Sequence, residues 1–160
     1  MRVGIGYDSH RFGPGGPMRL GGVDIPADVQ CIGHSDGDAI CHAVTDALLG
    51  AAALGDIGEL FPDTDPANKG KDSMVMLAAA VALVRDAGMR PGNVDITVIT
   101  QLPKISPQRA AIRSRLAETL GVSVDQVFVK GKTNEGMGWI GRGEGLAVMA
   151  VATLVLSTEY

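Results

Sequence analysis

The sequence predicts an α/β fold of the α+β sandwich type, a mixed sheet with three helices on one face, in a single domain over residues 1–160. Three observations predict it. Several short stretches alternate β-branched and polar residues with the period of a strand, three longer ones place apolar residues at helical spacing, and the two kinds are interleaved along the chain. A chain of 160 residues is long enough for one complete core and short for two. Glycine occurs 22 times in 160 residues, about twice the usual ~7%, which anticipates tight turns and close backbone approaches.

Residues 1–7 set Val3, Ile5 and Tyr7 against smaller or polar neighbours and form a strand. Residues 18–25 carry a Gly21-Gly22 turn between short apolar pairs, a hairpin. Ser35 or Asp36 caps a helix that runs to about Ala52, with Ile40, Ala43, Val44, Ala47, Leu48 and Ala51 as its buried stripe. His42 lies off that stripe, on one ridge with Asp38 and Asp46, and faces away from its own core. A long loop follows over residues 55–71; loops of that length are usually functional or disordered. Asp72 caps a second helix through Met74, Leu77, Val81 and Val84 to a terminating Gly88, and residues 94–100 form a strand. Ser106-Pro107 opens a third helix that ends at Leu120-Gly121. Strands at 127–132 and 146–156 close the chain, separated by a turn containing Gly136, Gly138, Gly141, Gly143 and Gly145.

Composition excludes several classes. An apolar fraction of 46% is too high for a disordered chain, while 4% aromatic residues and a net charge of -4 disfavour nucleic acid as a partner. Cys31 and Cys41 form no Cys-x-x-Cys pair, no secretory leader is evident, and the longest apolar stretch is shorter than a membrane span. A soluble cytoplasmic protein with no membrane partner is expected.

All three histidines fall in the first 42 residues, each near an aspartate. Asp8 and His10, two apart on a strand, share a face, and His42 must reach them from a helix. Two imidazoles and a carboxylate would hold Zn²⁺ with one position open, or Fe²⁺ as a facial triad; the same residues also read as an exposed aspartate and two surface histidines. Asp46, one turn beyond His42, is either a partner that orients its ring or a solvated charge. His34-Ser35 before the helix either docks a phosphate oxygen on free amides or belongs to an ordinary cap. Lys130 to Glu135 offers a lysine, a threonine hydroxyl and a carboxylate for a phosphoryl group and a hard cation, or is a solvated strand end. Residues 100–106 read as a connector between strand and helix.

Taken together, Gly6-Tyr7-Asp8-Ser9-His10, His34-Ser35-Asp36-Gly37-Asp38, Thr45 to Gly50, Gly55-Asp56-Ile57-Gly58, Phe61-Pro62-Asp63-Thr64-Asp65 and Gly141-Arg142-Gly143-Glu144-Gly145 carry a family resemblance. The chain resembles the 2-C-methyl-D-erythritol 2,4-cyclodiphosphate synthases of the non-mevalonate isoprenoid pathway, with these motifs in order along essentially its whole length. The resemblance implies a homotrimer with active sites between subunits, each subunit a mixed four-stranded sheet covered by helices. It implies that Asp8, His10 and His42 hold Zn²⁺ or another divalent metal, the open position going to a phosphate of 4-diphosphocytidyl-2-C-methyl-D-erythritol 2-phosphate. The substrate's 2-phosphate would attack its own β-phosphorus and release CMP, the reaction of a phosphorus-oxygen lyase.

The same resemblance implies that His34 and Thr133 stabilise the transition state and that Glu135 holds Mg²⁺ or Mn²⁺ on the substrate diphosphate. Substrate contacts implied in this way come from Asp8, Ser9, His10, His34 and Ser35, from Asp56, Ile57 and Gly58, and from Phe61, Pro62, Asp63, Thr64 and Asp65. The cytidine diphosphate end would be framed by Thr100, Gln101, Leu102, Pro103, Lys104, Ile105 and Ser106, with Lys132, Thr133, Asn134 and Glu135. Trp139 and Arg142 complete the implied set. Arg142 with Glu144 either lines a trimer axis that accepts an isoprenoid diphosphate or forms a salt bridge between subunits. Two other functions share these features. A zinc phosphodiesterase would use hydroxide at the open position, and a trimeric metabolite sensor would bind without turnover.

Overall fold

The computed structural model describes residues 1–157; the last three residues of the expected domain lie outside that range. A five-stranded sheet in the order β4-β1-β7-β5-β6 carries β1 (Arg2–Pro14), β4 (Val29–Ile32), β5 (Met89–Ile99), β6 (Val127–Lys132) and β7 (Gly145–Leu156), and β2 (Met18–Leu20) pairs with β3 (Val23–Ile25) in a separate hairpin. The β5 and β6 pair is parallel and the other pairs are antiparallel, so the sheet is mixed as expected. Its strand count corrects the expected four. Alternation in β1 does not stop at Tyr7 but continues through Asp8 and His10 to Pro14, and the added length gives Val29–Ile32 an edge to pair with.

Three main helices, α1 (Ala39–Ala52), α3 (Ser73–Asp86) and α4 (Arg109–Leu120), pack over one face of the sheet. Short helices α2 (Ile57–Leu60) and α5 (Gly138–Gly141) occupy the long loop and the glycine-rich turn, both anticipated only as irregular chain. The predicted stripe of α1 is buried from Ile40 to Ala51, and Asp72 caps α3 by accepting from the Met74 amide at 2.8 Å. Pro107 lies in a short 3-10 turn that leads into α4, and Gly121 ends that helix in the left-handed region.

The cap of α1 is a correction. Neither Ser35 nor Asp36 occupies it; Asp38 does, accepting from the Cys41 amide at 3.1 Å. The fully buried Asp38 carboxylate also accepts from the amides of Gly21 and Gly22, each at 2.7 Å. Positive φ at those two glycines turns the β2-β3 hairpin so that both amides point at one carboxylate. One buried charge thereby satisfies three backbone donors and ties the hairpin to the start of α1.

The other sheet face is bare. Val3, Ile5 and Tyr7 of β1 and Met149 and Val151 of β7 lie on it, at 40–64% exposure, with Ile5 opposite Val151 and Tyr7 opposite Met149. Contiguous apolar exposure on this scale marks an interaction surface. No helix among the described residues is long and apolar enough to cross a membrane.

Candidate active site

The contact between α1 and β1 builds the centre of the site. A Cβ on Gly6 would lie 1.8 Å from the Ala43 carbonyl oxygen, and one on Gly4 would lie 2.0 Å from that of Ala47. Only glycine at these two positions lets the helix backbone sit directly on the strand. That approach carries His42, beside Ala43 and off the buried stripe, onto the face of β1 that presents Asp8 and His10. Asp8, His10 and His42 each offer a ligand atom, and these atoms lie within 4.8 Å of one another. Asp8 Oδ2 is 2.9 Å from His10 Nδ1 and 3.2 Å from His42 Nδ1.

These residues fit a divalent cation. His10 Nδ1 is buried and, although close to Asp8, is not aligned for a hydrogen bond, so this ring nitrogen has no hydrogen-bond partner in the protein. A carboxylate and two imidazoles form a donor set suited to Zn²⁺, with room for a fourth ligand. The electrostatics agree. Burial would raise the Asp8 carboxyl, but the close imidazoles of His10 and His42 outweigh it and hold it below its ordinary 3.8. Burial would lower His42, but Asp8, with the more distant Asp38 and Asp36, holds it above its ordinary 6.5.

Both shifts bear on the metal-free protein. A lowered carboxyl adds stability above its unfolded pKa and loses it as pH falls through the folded value. A raised histidine adds stability below its unfolded pKa and loses it as pH rises through the folded value. Both contributions are therefore present between roughly pH 4 and 6.5. In urea unfolding of metal-free protein, the advantage of wild type over His42→Ala is expected to be largest in that window and to narrow on either side; an advantage independent of pH would contradict it.

The partner on the far side of the His42 ring corrects another expectation. Asp46 does not orient it; its Oδ1 accepts from the Ile57 amide at 2.8 Å and anchors α2 to α1. Desolvation, offset only in part by that bond, raises the Asp46 carboxyl. His42 Nε2 instead meets the hydroxyls of Ser73 at 2.8 Å and Ser35 at 2.9 Å. His34 is exposed and precedes α1 by five residues, and the Cys41 amide at that terminus is taken by the Asp38 side chain.

One cavity adjoins the centre and a second lies farther along the sheet, at the ends of β5 and β6. The first, about 140 Å³, is lined by His34, Ser35 and His42 with Ile57, Gly58, Phe61 and Asp63, and by Asn68 and Met76, which the sequence reading missed. Asp56 caps α2 and Asp65 caps the 3-10 turn at Pro66–Asn68, so these carboxylates shape the loop. Lys71 holds the loop further, donating to Asn68 Oδ1 at 2.7 Å with its ammonium 4.9 Å from the centre of the Phe61 ring. Pro62 and Thr64 share the loop without lining the cavity.

The second cavity, about 240 Å³, is lined by Thr100, Gln101, Pro103, Lys104, Ile105 and Ser106 from the β5-α4 connector, and by Gly131, Lys132 and Thr133 from the end of β6. The expected connector is thus a cavity wall, although Leu102 points to solvent. Arg109 also lines it and was not anticipated; its Nε donates to the Val129 carbonyl at 2.8 Å. Glu135 accepts from the Thr133 hydroxyl at 2.9 Å at the cavity's edge. The two cavities share no residue: the first is built from loops and from α1, α2 and α3, the second from the ends of β5 and β6 and the start of α4.

Other implied contacts are not brought in. Ser9 alternates with Asp8 and His10 and so faces the opposite side of the sheet, exposed. Asn134 donates to the Met137 carbonyl at 2.8 Å and closes its own turn. Trp139 lines neither cavity, and Arg142 pairs with Glu144 of the same chain on the surface, so that pair needs no second subunit to form.

The sequence matches the YgbB family over residues 1–155. A 2-C-methyl-D-erythritol 2,4-cyclodiphosphate synthase of Gemmatimonas aurantiaca is 76% identical over 155 residues, covering 97% of this chain and 93% of the relative. Among solved structures, the bifunctional IspDF of Campylobacter jejuni superposes with a TM-score of 0.93 at 44% identity, covering 97% of this chain and 42% of that one. A 2C-methyl-D-erythritol-2,4-cyclodiphosphate synthase in a CDP-bound form superposes with a TM-score of 0.89 at 40% identity, covering 96% of this chain and all of that one.

Proposed function

Because the chain belongs to the YgbB family, we propose that it cyclises 4-diphosphocytidyl-2-C-methyl-D-erythritol 2-phosphate to 2-C-methyl-D-erythritol 2,4-cyclodiphosphate and releases CMP. The observation that carries this reading is the convergence of Asp8, His10 and His42 beside a cavity, in a chain so similar to named synthases. The substrate's 2-phosphate oxygen forms a bond to the β-phosphorus, and the bond from that phosphorus to the bridging oxygen breaks. The bridging oxygen leaves with CMP, and no water or enzymic nucleophile is consumed.

With no protein nucleophile required, the chain's work is positioning and charge neutralisation. Asp8, His10 and His42 would hold Zn²⁺ and Glu135 would hold Mg²⁺ or Mn²⁺ with the substrate diphosphate; bound there, the cations would supply Lewis acidity and offset phosphate charge. His34, exposed at the mouth of the first cavity, donates to phosphate oxygens, and Thr133 at the rim of the second does the same once its hydroxyl turns from Glu135 to the substrate. Gly58 and the Phe61 loop receive the methylerythritol end. The connector at 100–106 receives the pyrimidine end; a solved relative in a CDP-bound form supports a cytidine diphosphate ligand.

One substrate must span both cavities, which in a single chain share no residue. A homotrimer with active sites shared between subunits meets that need and would cover the bare apolar sheet face. The working location we assign is the cytoplasm. Purified protein given the cytidyl substrate and Mg²⁺ is expected to release CMP and the cyclic diphosphate in equal amounts; linear hydrolysis products in their place would contradict the proposal.

A further inference from the structure

Ser73 is the first residue of α3 and lies 31 positions beyond His42, yet its hydroxyl sits 2.8 Å from His42 Nε2 and is fully buried. The same hydroxyl donates to Asp36 Oδ1, while the Ser73 amide donates to Asp36 Oδ2 at 3.1 Å. Arg19 from the hairpin faces that carboxylate, Nε to Oδ2 at 3.4 Å. A hydroxyl carries one proton, and a carboxylate only accepts. With its proton committed to Asp36, Ser73 offers His42 only a lone pair, so His42 Nε2 must carry a hydrogen.

Resting on the reading of Asp8, His10 and His42 as cation ligands, we infer that Asp36 and Ser73 are positioning residues that select the Nε2-H tautomer of His42. In the metal-free protein Nδ1 shares its own hydrogen with Asp8, 3.2 Å away; with Nε2 holding the other, the Nδ1 proton is the one a cation would displace, leaving the Nδ1 lone pair as the ligand atom. Partners beyond the ligands commonly fix imidazole orientation in this way, through a carboxylate or carbonyl. Here a serine stands between imidazole and carboxylate, and the chain Arg19-Asp36-Ser73 couples the hairpin and the start of α3 to the ligand on α1. Ser35, 2.9 Å from the same nitrogen, has no such carboxylate on its hydroxyl and does not fix the direction of the bond.

Two measurements test this. In zinc-loaded wild-type protein, long-range ¹H-¹⁵N spectra of the imidazoles should show His42 protonated at Nε2. In Ser73→Ala, zinc affinity measured by chelator competition should fall by about ten- to a hundredfold. The metal-free variant should unfold at a lower urea midpoint, since two hydrogen bonds of a buried hydroxyl are lost, yet stay folded at low urea because Asp72 rather than Ser73 caps α3. A His42 proton on Nδ1 in the zinc-loaded protein, or wild-type zinc affinity in Ser73→Ala, would overturn the inference. His42→Ala separates the levels: loss of zinc there with unchanged affinity in Ser73→Ala defeats only the role of Ser73, whereas retention of zinc by His42→Ala defeats the site itself.

Discussion

Replacing His42 with alanine is expected to abolish stoichiometric zinc binding, with affinity falling by more than about a hundredfold, the upper end of what loss of a ligand's supporting partner produces. The reason is the ligand count. Asp8 and His10 alone leave a cation with two protein donors, and no other histidine, cysteine or acidic group among the described residues completes the cluster. Turnover should fall at least in parallel, a hundredfold loss in kcat/KM corresponding to about 2.7 kcal/mol of transition-state stabilisation. Folding should survive, because His42 projects off the buried stripe of α1 and fills no part of the core. Metal analysis of the purified variant gives the result directly, and stoichiometric zinc in it would remove His42 from the site.

Gly6→Ala should cripple the same site from beneath. The added Cβ would sit 1.8 Å from the Ala43 carbonyl oxygen, against helix backbone that has no rotamer by which to move aside. The helix must lift off β1, and His42, adjacent to Ala43, must lift with it. Overpacking of this kind costs about 1–3 kcal/mol and sometimes more. For a domain of this size 3 kcal/mol is roughly 6–12 °C in Tm. Zinc affinity should fall together with stability. Gly50 provides the comparison, since it lies in the same helix but a Cβ there meets nothing within 4 Å. Gly50→Ala should therefore be neutral or stabilising by up to about 1 kcal/mol, with zinc binding intact. Equal behaviour of the two variants in calorimetry and zinc titration would refute the role given to close packing.

What the sequence made legible was local. The apolar stripe of α1, the Gly21-Gly22 hairpin, the cap at Asp72 and the Ser106-Pro107 entry into α4 each follow from a few neighbouring residues and hold in the structure. The convergence of His42 with Asp8 and His10 was also readable, since helical geometry turns that one histidine away from its own core. What escaped depends on partners distant in the chain. Ser35, Asp36 and Asp38 are all competent caps, and two hairpin amides some 16 residues away decide for Asp38. Asp46 was the obvious neighbour of His42 on its helix, but Ile57 claims it, and Ser73 reaches the ring from another helix. The added strand, β4, is only four residues long and pairs with Arg11 to Pro14 of β1, where glycine and proline hide the strand pattern.

The central claim is that the phosphorus is attacked by the substrate's own phosphate and not by water. Running the reaction in H₂¹⁸O and weighing the products tests it most directly. The account predicts a cyclic diphosphate and CMP that both contain only the oxygen present in the substrate. Solvent ¹⁸O in either phosphate product would contradict it and would make the Asp8, His10 and His42 site that of a hydrolase.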